Sequence, residues 1–422
     1  MAKPTIVYIA GTFPLRSETF VYREVRELRR RGWTVIVCGL HPSPDANDPT
    51  FKDLSDGALT VYDGGWAGRS FGEFFAHPVS SLSTLFTAIG DAISPGETMK
   101  WRDRLKLPAQ AFASLGLAKK LRDRKIERIH CHFAHAATTI GMYAARALGI
   151  PFSFTGHAND LFQRRALLAK KLQRSSFVSC ISEWHRDWYH AMVPDRAKKY
   201  RVVRCGVDVN AWGPLVSNGT DALRVLTVCR LVEKKGTDTL IRALSEYGRQ
   251  TGKAWHLVVA GDGPEQKNLV RLANDLACSE SVEFLGAVDN ARVQKLLSEA
   301  QVFALPCRRD ANGDADGIPV VLMEAMACGV PVISGDLPAI RELVEHNKNG
   351  ILVDGRDVPA LTAALKSITS DESRRKELGT AGRNRVVEEF SLAKNVDRLE
   401  TLLAGSSGAE IHVAGVAQPG TT

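Results

Sequence analysis

Apolar residues recur along this chain in two alternating rhythms. Short runs rich in Val and Ile mark strands, and stripes at spacings of three and four residues mark helices. The first run, 5–10, ends at Gly11-Thr12-Phe13-Pro14. A helix is predicted from about Ser17, with Glu18 in its first turn and Phe20, Val21, Val25 and Leu28 on one face. Gly32 closes it, and 33–40 is again β-rich. This strand, helix, strand opening predicts a parallel sheet. Over 41–96 the rhythm lapses, with Pro, Gly, Asp and Ser interrupted by Trp66, Phe71, Phe74, Phe75 and Phe86. The stretch, about 41–105, is expected to elaborate the first domain with short helices, and variable loops of this kind often carry binding specificity.

Regular alternation resumes at Ile126. Strands are predicted over 129–133, 151–155, 177–181 and 201–204, with helices over 135–148 and after Ser182-Glu183. The stretch 210–221 is rich in Gly, Ser, Asn and Pro and divides the chain, as a linker does. Beyond it, strands 224–229, 256–260, 281–285, 302–305, 332–334 and 351–353 alternate with helices. One helix starts near Asp238, one at Pro338, two near Asp357 and Asp371, and the last covers 391–404. The expected fold is α/β, with two Rossmann-like, doubly wound parallel-sheet domains facing across a cleft. The expected limits are 1–207, a hinge and linker 208–222, a second domain 223–387, a C-terminal helix 388–405 and a flexible tail 406–422.

With 422 residues, 44% apolar and 24% charged, the chain has the composition of a soluble protein with two cores. No apolar run reaches the roughly 18 residues of a membrane span, and the start lacks a signal-peptide layout. A cytoplasmic location is expected. The eight Cys are scattered without CxxC spacing and are expected to be buried free thiols.

The net charge of +8 is concentrated in segments 100–128 and 164–174. The first contains the apolar run LPAQAFASLGLA. Two readings stay open: an anionic membrane surface on the inner face, or a solvated face over an ordinary core helix. Nucleic acid is not expected, because no aromatic-and-basic reading surface appears on a nucleic-acid fold.

Candidate chemistry centres on 306–331, PCRRDANGDADGIPVVLMEAMACGVP. A polar loop runs through Gly317-Ile318-Pro319 into a helix from Val320 to a stop at Gly329. Pro319 suits the first helical position, and the helix start offers free amides and a positive dipole end to a phosphate. Glu324 lies among apolar neighbours. It is either exposed or paired with a structural Arg, or it accepts two hydroxyls of a sugar or ribose. Arg230 and Lys235 follow a strand end and suit a diphosphate, with Lys234 as a solvent-exposed neighbour. Gly261 and Gly263 would let backbone approach a ligand, and Gly286 with Val288 would wall a base.

Strand ends in the first half add Gly11, Thr12, Ser17 and Glu18, and then His157 and Asp160 in a Gly-Asn-Asp loop. His157 is expected to touch a bound sugar or a second substrate, the alternative being a capping role. His130 and His132 share one side of a strand, but no carboxylate lies near them in sequence to complete a metal site.

The run Asp316-Gly317-Ile318-Pro319-Val320-Val321-Leu322-Met323-Glu324-Ala325-Met326-Ala327 resembles the acid-x7-acid signature of the retaining family 4 glycosyltransferases, which have the GT-B fold. More narrowly, it resembles their colanic-acid and exopolysaccharide branch. The family usually has Glu where this chain has Asp316. GTFPLRSETF resembles that branch's acceptor-side loop, FTGHAND its His motif, CGVD its interdomain hinge and GDGP its nucleotide-side turn. The last helix resembles one that crosses back to the first domain.

The resemblance implies transfer from a UDP- or GDP-linked sugar to a polyprenyl-linked glycan, with retention. Arg230, Lys235 and the amides near Ile318 and Val320 would hold the diphosphate, Glu324 the ribose, and Asp316 and His157 would face the donor sugar. The leaving diphosphate would help take the acceptor proton, so no side-chain nucleophile is named. Asp314-Ala315-Asp316 spells a DxD metal motif of another fold, but the cation pair already supplies charge, and no cofactor or metal is expected. Two other readings remain: another GT-B enzyme, such as an epimerase or a sugar-phosphate-dependent synthase, and a non-enzymatic binding module.

Overall fold

The computed structural model describes residues 3–94, 99–158, 160, 165–214 and 222–405. The expected tail, residues 215–221 of the linker, Asn159 and Arg164 lie outside the described residues.

Seven strands form the first sheet: β1 Thr5–Thr12, β2 Thr34–His41, β3 Leu59–Thr60, β4 Ile126–His132, β5 Phe152–Gly156, β6 Val178–Cys180 and β7 Tyr200–Val202. Their order is β3-β2-β1-β4-β5-β6-β7, with every pairing parallel. Six more form the second: β8 Leu223–Val228, β9 Trp255–Ala260, β10 Val282–Gly286, β11 Val302–Leu305, β12 Val332–Gly335 and β13 Ile351–Val353. Their order is β10-β9-β8-β11-β12-β13, again parallel. Strand order reverses between β1 and β4 and between β8 and β11. Loops leaving those strands diverge there and open a crevice.

Both faces of each sheet are covered, so the strands read as nearly continuous apolar runs rather than alternating ones. In β1, Val7 and Ile9 pack into one core cluster while Ile6, Tyr8 and Ala10 pack into another on the opposite face. Aspartates cap three second-domain helices: Asp289 on Asn290–Glu299, Asp357 on Val358–Ser370 and Asp371 on Glu372–Glu389.

Several local expectations need correction. The first helix spans Thr19–Arg30, so Glu18 is its flanking residue and not part of its first turn. Pro338 starts no α-helix; a single 3-10 turn, Ile340–Glu342, follows it. The 41–105 elaboration holds long helices, Trp66–Ala76, Pro78–Ile93 and the start of Trp101–Leu121. LPAQAFASLGLA lies in the last of these and is core, with Leu107, Ala111, Leu115 and Leu117 buried.

Many of the clustered cations are consumed internally. Arg122 pairs with buried Glu73, Arg174 with buried Asp91 and Lys120 with Asp63. Lys171 is wholly buried and donates to the carbonyls of Ala134 and Ala166, each at 2.7 Å. Of the 164–174 cations, Lys171 and Arg174 are therefore structural. Lys100, Arg102, Lys119, Arg124 and Lys125 stay exposed.

The chain passes between the two sheets twice, and the passages touch. Val207 donates to the Phe390 carbonyl at 2.9 Å and accepts from the Leu392 amide at 2.9 Å. At Gly206 a Cβ would lie 2.4 Å from Leu392 Cα, so the crossing needs a glycine. Helix Leu392–Leu403 then packs on Thr19–Arg30, with Arg31 bridging to Asp397 and Glu400. Glu342 of the second sheet's side accepts from the Glu183 and Trp184 amides at 2.9 and 2.8 Å, holding the N-terminus of helix Glu183–Met192.

Candidate active-site cleft

The loop after β11 leads into helix Val320–Ala327, and the loop after β8 lies against it: the Arg308 amide donates to the Lys234 carbonyl at 2.8 Å. Pro319, at φ −65 and ψ 128, flanks the helix as its N-cap, one residue earlier than its expected position. Its carbonyl accepts the Leu322 amide at 3.1 Å. The first amides of the helix have no acceptor within it.

Four charges meet where these loops touch. Lys235 Nζ lies 2.9 Å from Asp316 Oδ2, and Lys234 Nζ lies 3.4 Å from Asp316 Oδ1 and 3.0 Å from Asp314 Oδ2. Lys234 is thus engaged rather than solvent-exposed. Burial pushes the Asp316 carboxyl up, but the two lysines outweigh it and hold the group below its usual range. The Cys307 thiol also approaches Asp316 Oδ2, at 3.2 Å. Both DxD carboxylates are met by lysines, so the local charge cancels.

Arg230 is exposed just beyond the end of β8, and among the described residues its guanidinium has no ion-pair partner. Gly261 and Gly263 serve their own chain: a Cβ would fall 1.9 Å from the Cys229 carbonyl oxygen and 2.4 Å from that of Leu231. The close approach is to the Arg230 loop, where a ligand had been expected. Gly286 accepts the Gly261 amide at 2.7 Å, and Val288 is half-buried nearby.

Glu324 is 5% exposed, and its partner comes from the other sheet's side: Arg23 Nη1 of helix Thr19–Arg30 is 2.7 Å from Glu324 Oε1. Burial raises the carboxyl's pKa, and Arg23 pulls it back only in part. Of the two sequence alternatives for Glu324, the structure contains the arginine pairing, though across the cleft. Arg23 also lies over the Trp212 ring at 5.6 Å.

On the first sheet, His157 follows β5 and is buried, with its amide donating to Asp160 Oδ2 at 2.7 Å. Asp160 is therefore the capping group of this loop. His157 Nε2 lies 3.3 Å from His132 Nδ1, His132 Nε2 is 3.1 Å from Glu24 Oε1, and the Tyr8 hydroxyl donates to the same oxygen at 2.8 Å. With Glu24 ionised, His132 donates from Nε2 and accepts at Nδ1. His157 then donates from Nε2 and keeps Nδ1 as an acceptor. Burial, reinforced by neighbouring histidines, drives the His157 pKa well down, so its ring is neutral.

Among the described residues, Glu24, His130 and His132 form a group of three metal-ligand types within 4.8 Å. The carboxylate absent from the local sequence thus arrives from a distant helix. Both nitrogens of His130 are nevertheless taken, by Ser153 Oγ at 2.9 Å and Thr155 Oγ1 at 3.0 Å. Glu24 and His132 are hydrogen-bonded to each other, while His130 meets His132 only ring to ring, with centroids 5.4 Å apart.

Gly11 sits 3.5 Å, through a notional Cβ, from His135 Cε1. Thr12 is half-buried, Ser17 is exposed, and burial raises Glu18 to about 7. Across the cleft, a Cβ on Gly317 would lie 3.2 Å from Ile181 and 3.5 Å from Ala158 and His185, so the 157 and 317 loops meet. Sequence reasoning missed Arg23, Glu24 and Tyr8. The first two look like surface charges on an amphipathic helix, and only the tertiary fold turns them inward.

Residues 17–211 match the model for Glycosyltransferase Family 4, and 217–385 match that for Glycosyl transferases group 1. The amylovoran biosynthesis glycosyltransferase AmsK of Erwinia amylovora is 34% identical over 92% of this chain and 96% of its own. The chain belongs to glycosyltransferase family 4. This family 4 member has the GT-B architecture. It superposes on Anabaena HepE in complex with UDP with a TM-score of 0.70, at 16% identity, over 95% of this chain and 99% of that one. A Mycobacterium tuberculosis GDP-mannose-dependent phosphatidylinositol monomannoside mannosyltransferase is 38% identical over 44% of this chain. The chain spans about half the length of that relative, 48%.

Proposed function

We propose that this family 4 member is a retaining hexosyltransferase moving a sugar from a UDP- or GDP-sugar to a polyprenyl-linked cell-surface glycan at the cytoplasmic membrane face. The observation that carries this reading is the Lys235–Asp316 pair beside the loop that leads into the N-terminus of helix Val320–Ala327, with Arg230 exposed just beyond the end of β8 and, among the described residues, without an ion-pair partner. With the lysines matched by aspartates, Arg230 and the helix amides supply the net attraction for a diphosphate. That attraction grows as charge develops on the leaving group, which is where it accelerates the step.

Glu324 takes the ribose hydroxyls in place of Arg23. A buried carboxylate that gives up its cation needs such donors. Asp316 and His157 face the donor sugar, and Gly11, Thr12, Ser17, Glu18 and Asp160 line the acceptor side. Gly286 and Val288 flank the base, while Gly261 and Gly263 position the Arg230 loop. No side chain is assigned as nucleophile, and metal is not required. The relatives divide over the base, one being GDP-mannose-dependent and one holding UDP.

Calorimetric titration of UDP, GDP and ADP, with and without Mg, tests the reading. One diphosphate should bind, indifferent to metal, and binding should vanish in Arg230→Ala/Lys235→Ala. If none binds at millimolar concentration, the transferase reading fails. Product analysis with a free sugar phosphate against a lipid-linked acceptor separates transfer from a synthase.

A further inference from the structure

Two helices of the first domain are turned inside out. A surface helix normally buries its apolar stripe. Helix Pro78–Ile93 instead buries Ser81, Thr84, Ala88 and Asp91 and exposes Val79, Leu82, Phe86, Ile89 and Ile93, which recur at three- and four-residue steps on one face. Val79 is 82% exposed and Ile93 76%. Helix Trp66–Ala76 does the same, burying Ser70 and Glu73 and exposing Phe71 and Phe75. Trp101 and Leu105, one turn apart at the start of helix Trp101–Leu121, are exposed as well. All three helices pack on one another. Of the eleven large apolar side chains exposed among the described residues, nine belong to this layer. That concentration marks an interaction surface.

The inner faces explain how the inversion is held. Small residues let the helices approach closely: a Cβ on Gly116 would lie 2.8 Å from Ser70 Oγ. The Ser70 hydroxyl donates to the Trp66 carbonyl and that of Thr84 to the Ser80 carbonyl. Asp91 accepts both terminal nitrogens of Arg174 at 2.6 Å and the Tyr143 hydroxyl at 3.0 Å, and Glu73 accepts Arg122 Nε at 2.8 Å. Arg104 donates to the carbonyls of Ala92 and Ser94, fastening the third helix to the end of the second.

This arrangement also removes negative charge from the outside. Both carboxylates of the two inverted helices face inward, and Asp103 is paired with Lys106 at 2.9 Å. Lys100 and Arg102 are exposed beside Trp101, with the Arg102 guanidinium 5.5 Å from that ring. An apolar face with an aromatic and cationic border matches the interface of an anionic bilayer, where rings sit at headgroup level and cations meet lipid phosphates. Pairing with a second copy would bring the same cationic border against itself.

We propose that the outer face of helices Trp66–Ala76 and Pro78–Ile93, with Trp101 and Leu105, seats the protein on an anionic lipid bilayer. The side chains enter the headgroup and acyl boundary while Lys100 and Arg102 bind lipid phosphates. The inference rests on the lipid-linked acceptor reading for its purpose but not for its measurement. Lys171 and Arg174, held inside the first domain, take no part.

Flotation of the full chain with vesicles tests it, using phosphatidylcholine alone and phosphatidylcholine mixed equally with phosphatidylglycerol. Binding to the mixed vesicles is expected, weakening with salt and much weaker on phosphatidylcholine. Phe75→Ser/Phe86→Ser/Ile93→Ser should lower the partition coefficient on the mixed vesicles more than tenfold, and Lys100→Glu/Arg102→Glu several-fold. Melting temperature and nucleotide titration of each variant report whether the fold and the cleft survive. The proposal is overturned by absence of binding to either vesicle, by equal binding of the triple variant, or by a sedimenting dimer that the triple variant dissociates. Nucleotide binding without vesicle binding sinks this surface and leaves the transferase reading standing; vesicle binding without nucleotide binding does the reverse.

Discussion

Arg23 Nη1 and Glu324 Oε1 are 2.7 Å apart across the cleft, joining a helix of the first sheet's side to the helix that follows β11. Their side chains are 11% and 7% exposed, so neither charge is well solvated. Removing one partner strands the other, whereas removing both does not. Arg23→Ala and Glu324→Gln should each destabilise the protein by about 3 kcal/mol, and the double variant should cost less than the sum by about 2 kcal/mol. Thermal or urea melts of the four proteins measure the coupling. Additive effects would show that the pair contributes no interaction of its own.

Asp316 Oδ2 is 2.9 Å from Nζ of Lys235, a cation that the proposed function gives to the diphosphate. Its pairing lowers the carboxyl's pKa, against burial, so the associated stability is present above about pH 4 and is lost as pH falls through the lowered value. Asp316→Asn removes a negative charge beside the phosphates and should tighten nucleoside diphosphate binding by about three- to tenfold, roughly 1 kcal/mol, while slowing turnover. Calorimetry beside a turnover assay checks both. Weaker binding would mean that Asp316 holds Lys235 in its working position.

Two sets of buried groups tilt stability with pH in opposite directions. His130, His157 and His185 are pushed down by burial, His185 to about 4. The unfolded chain takes up their protons first, so stability falls as pH drops below about 6.5. Glu18 is pushed up to about 7, so its contribution is present at low pH and is lost as pH rises from the ordinary carboxyl range through about 7. Glu18→Gln should therefore gain stability over the wild type between pH 5 and pH 8, by about 2 to 3 kcal/mol. His185→Gln should flatten the acid side. Melting curves at pH 5, 6.5 and 8 give both differences, and parallel curves for wild type and Glu18→Gln would sink the assignment.

Local features carried the fold a long way. Apolar runs ending in Gly, Arg or Pro marked β1, β5, β8 and β11, and the chemistry-bearing loops follow them because a parallel sheet presents its strand ends on one edge. Pro319 and Gly329 delimited the helix that bears Glu324, since Pro and Gly act through their own backbone limits. Glu324's partner was not legible, because Arg23 lies about three hundred residues away on a helix whose charges look solvated.

By itself, the sequence determined the alternation of strands and helices, and with it two parallel sheets and the positions of Arg230, Lys235, Asp316 and His157 at strand ends. These follow from periodicity and backbone preference, which are properties of neighbouring residues. Only the tertiary structure decided what those side chains face and which way a stripe points. The apolar stripe of helix Pro78–Ile93, in a stretch where no regular rhythm was legible, shows one apolar face but does not say whether that face is buried. Arg122 and Arg174 decided that by drawing Glu73 and Asp91 inward, because a buried carboxylate requires a cation that only long-range packing supplies.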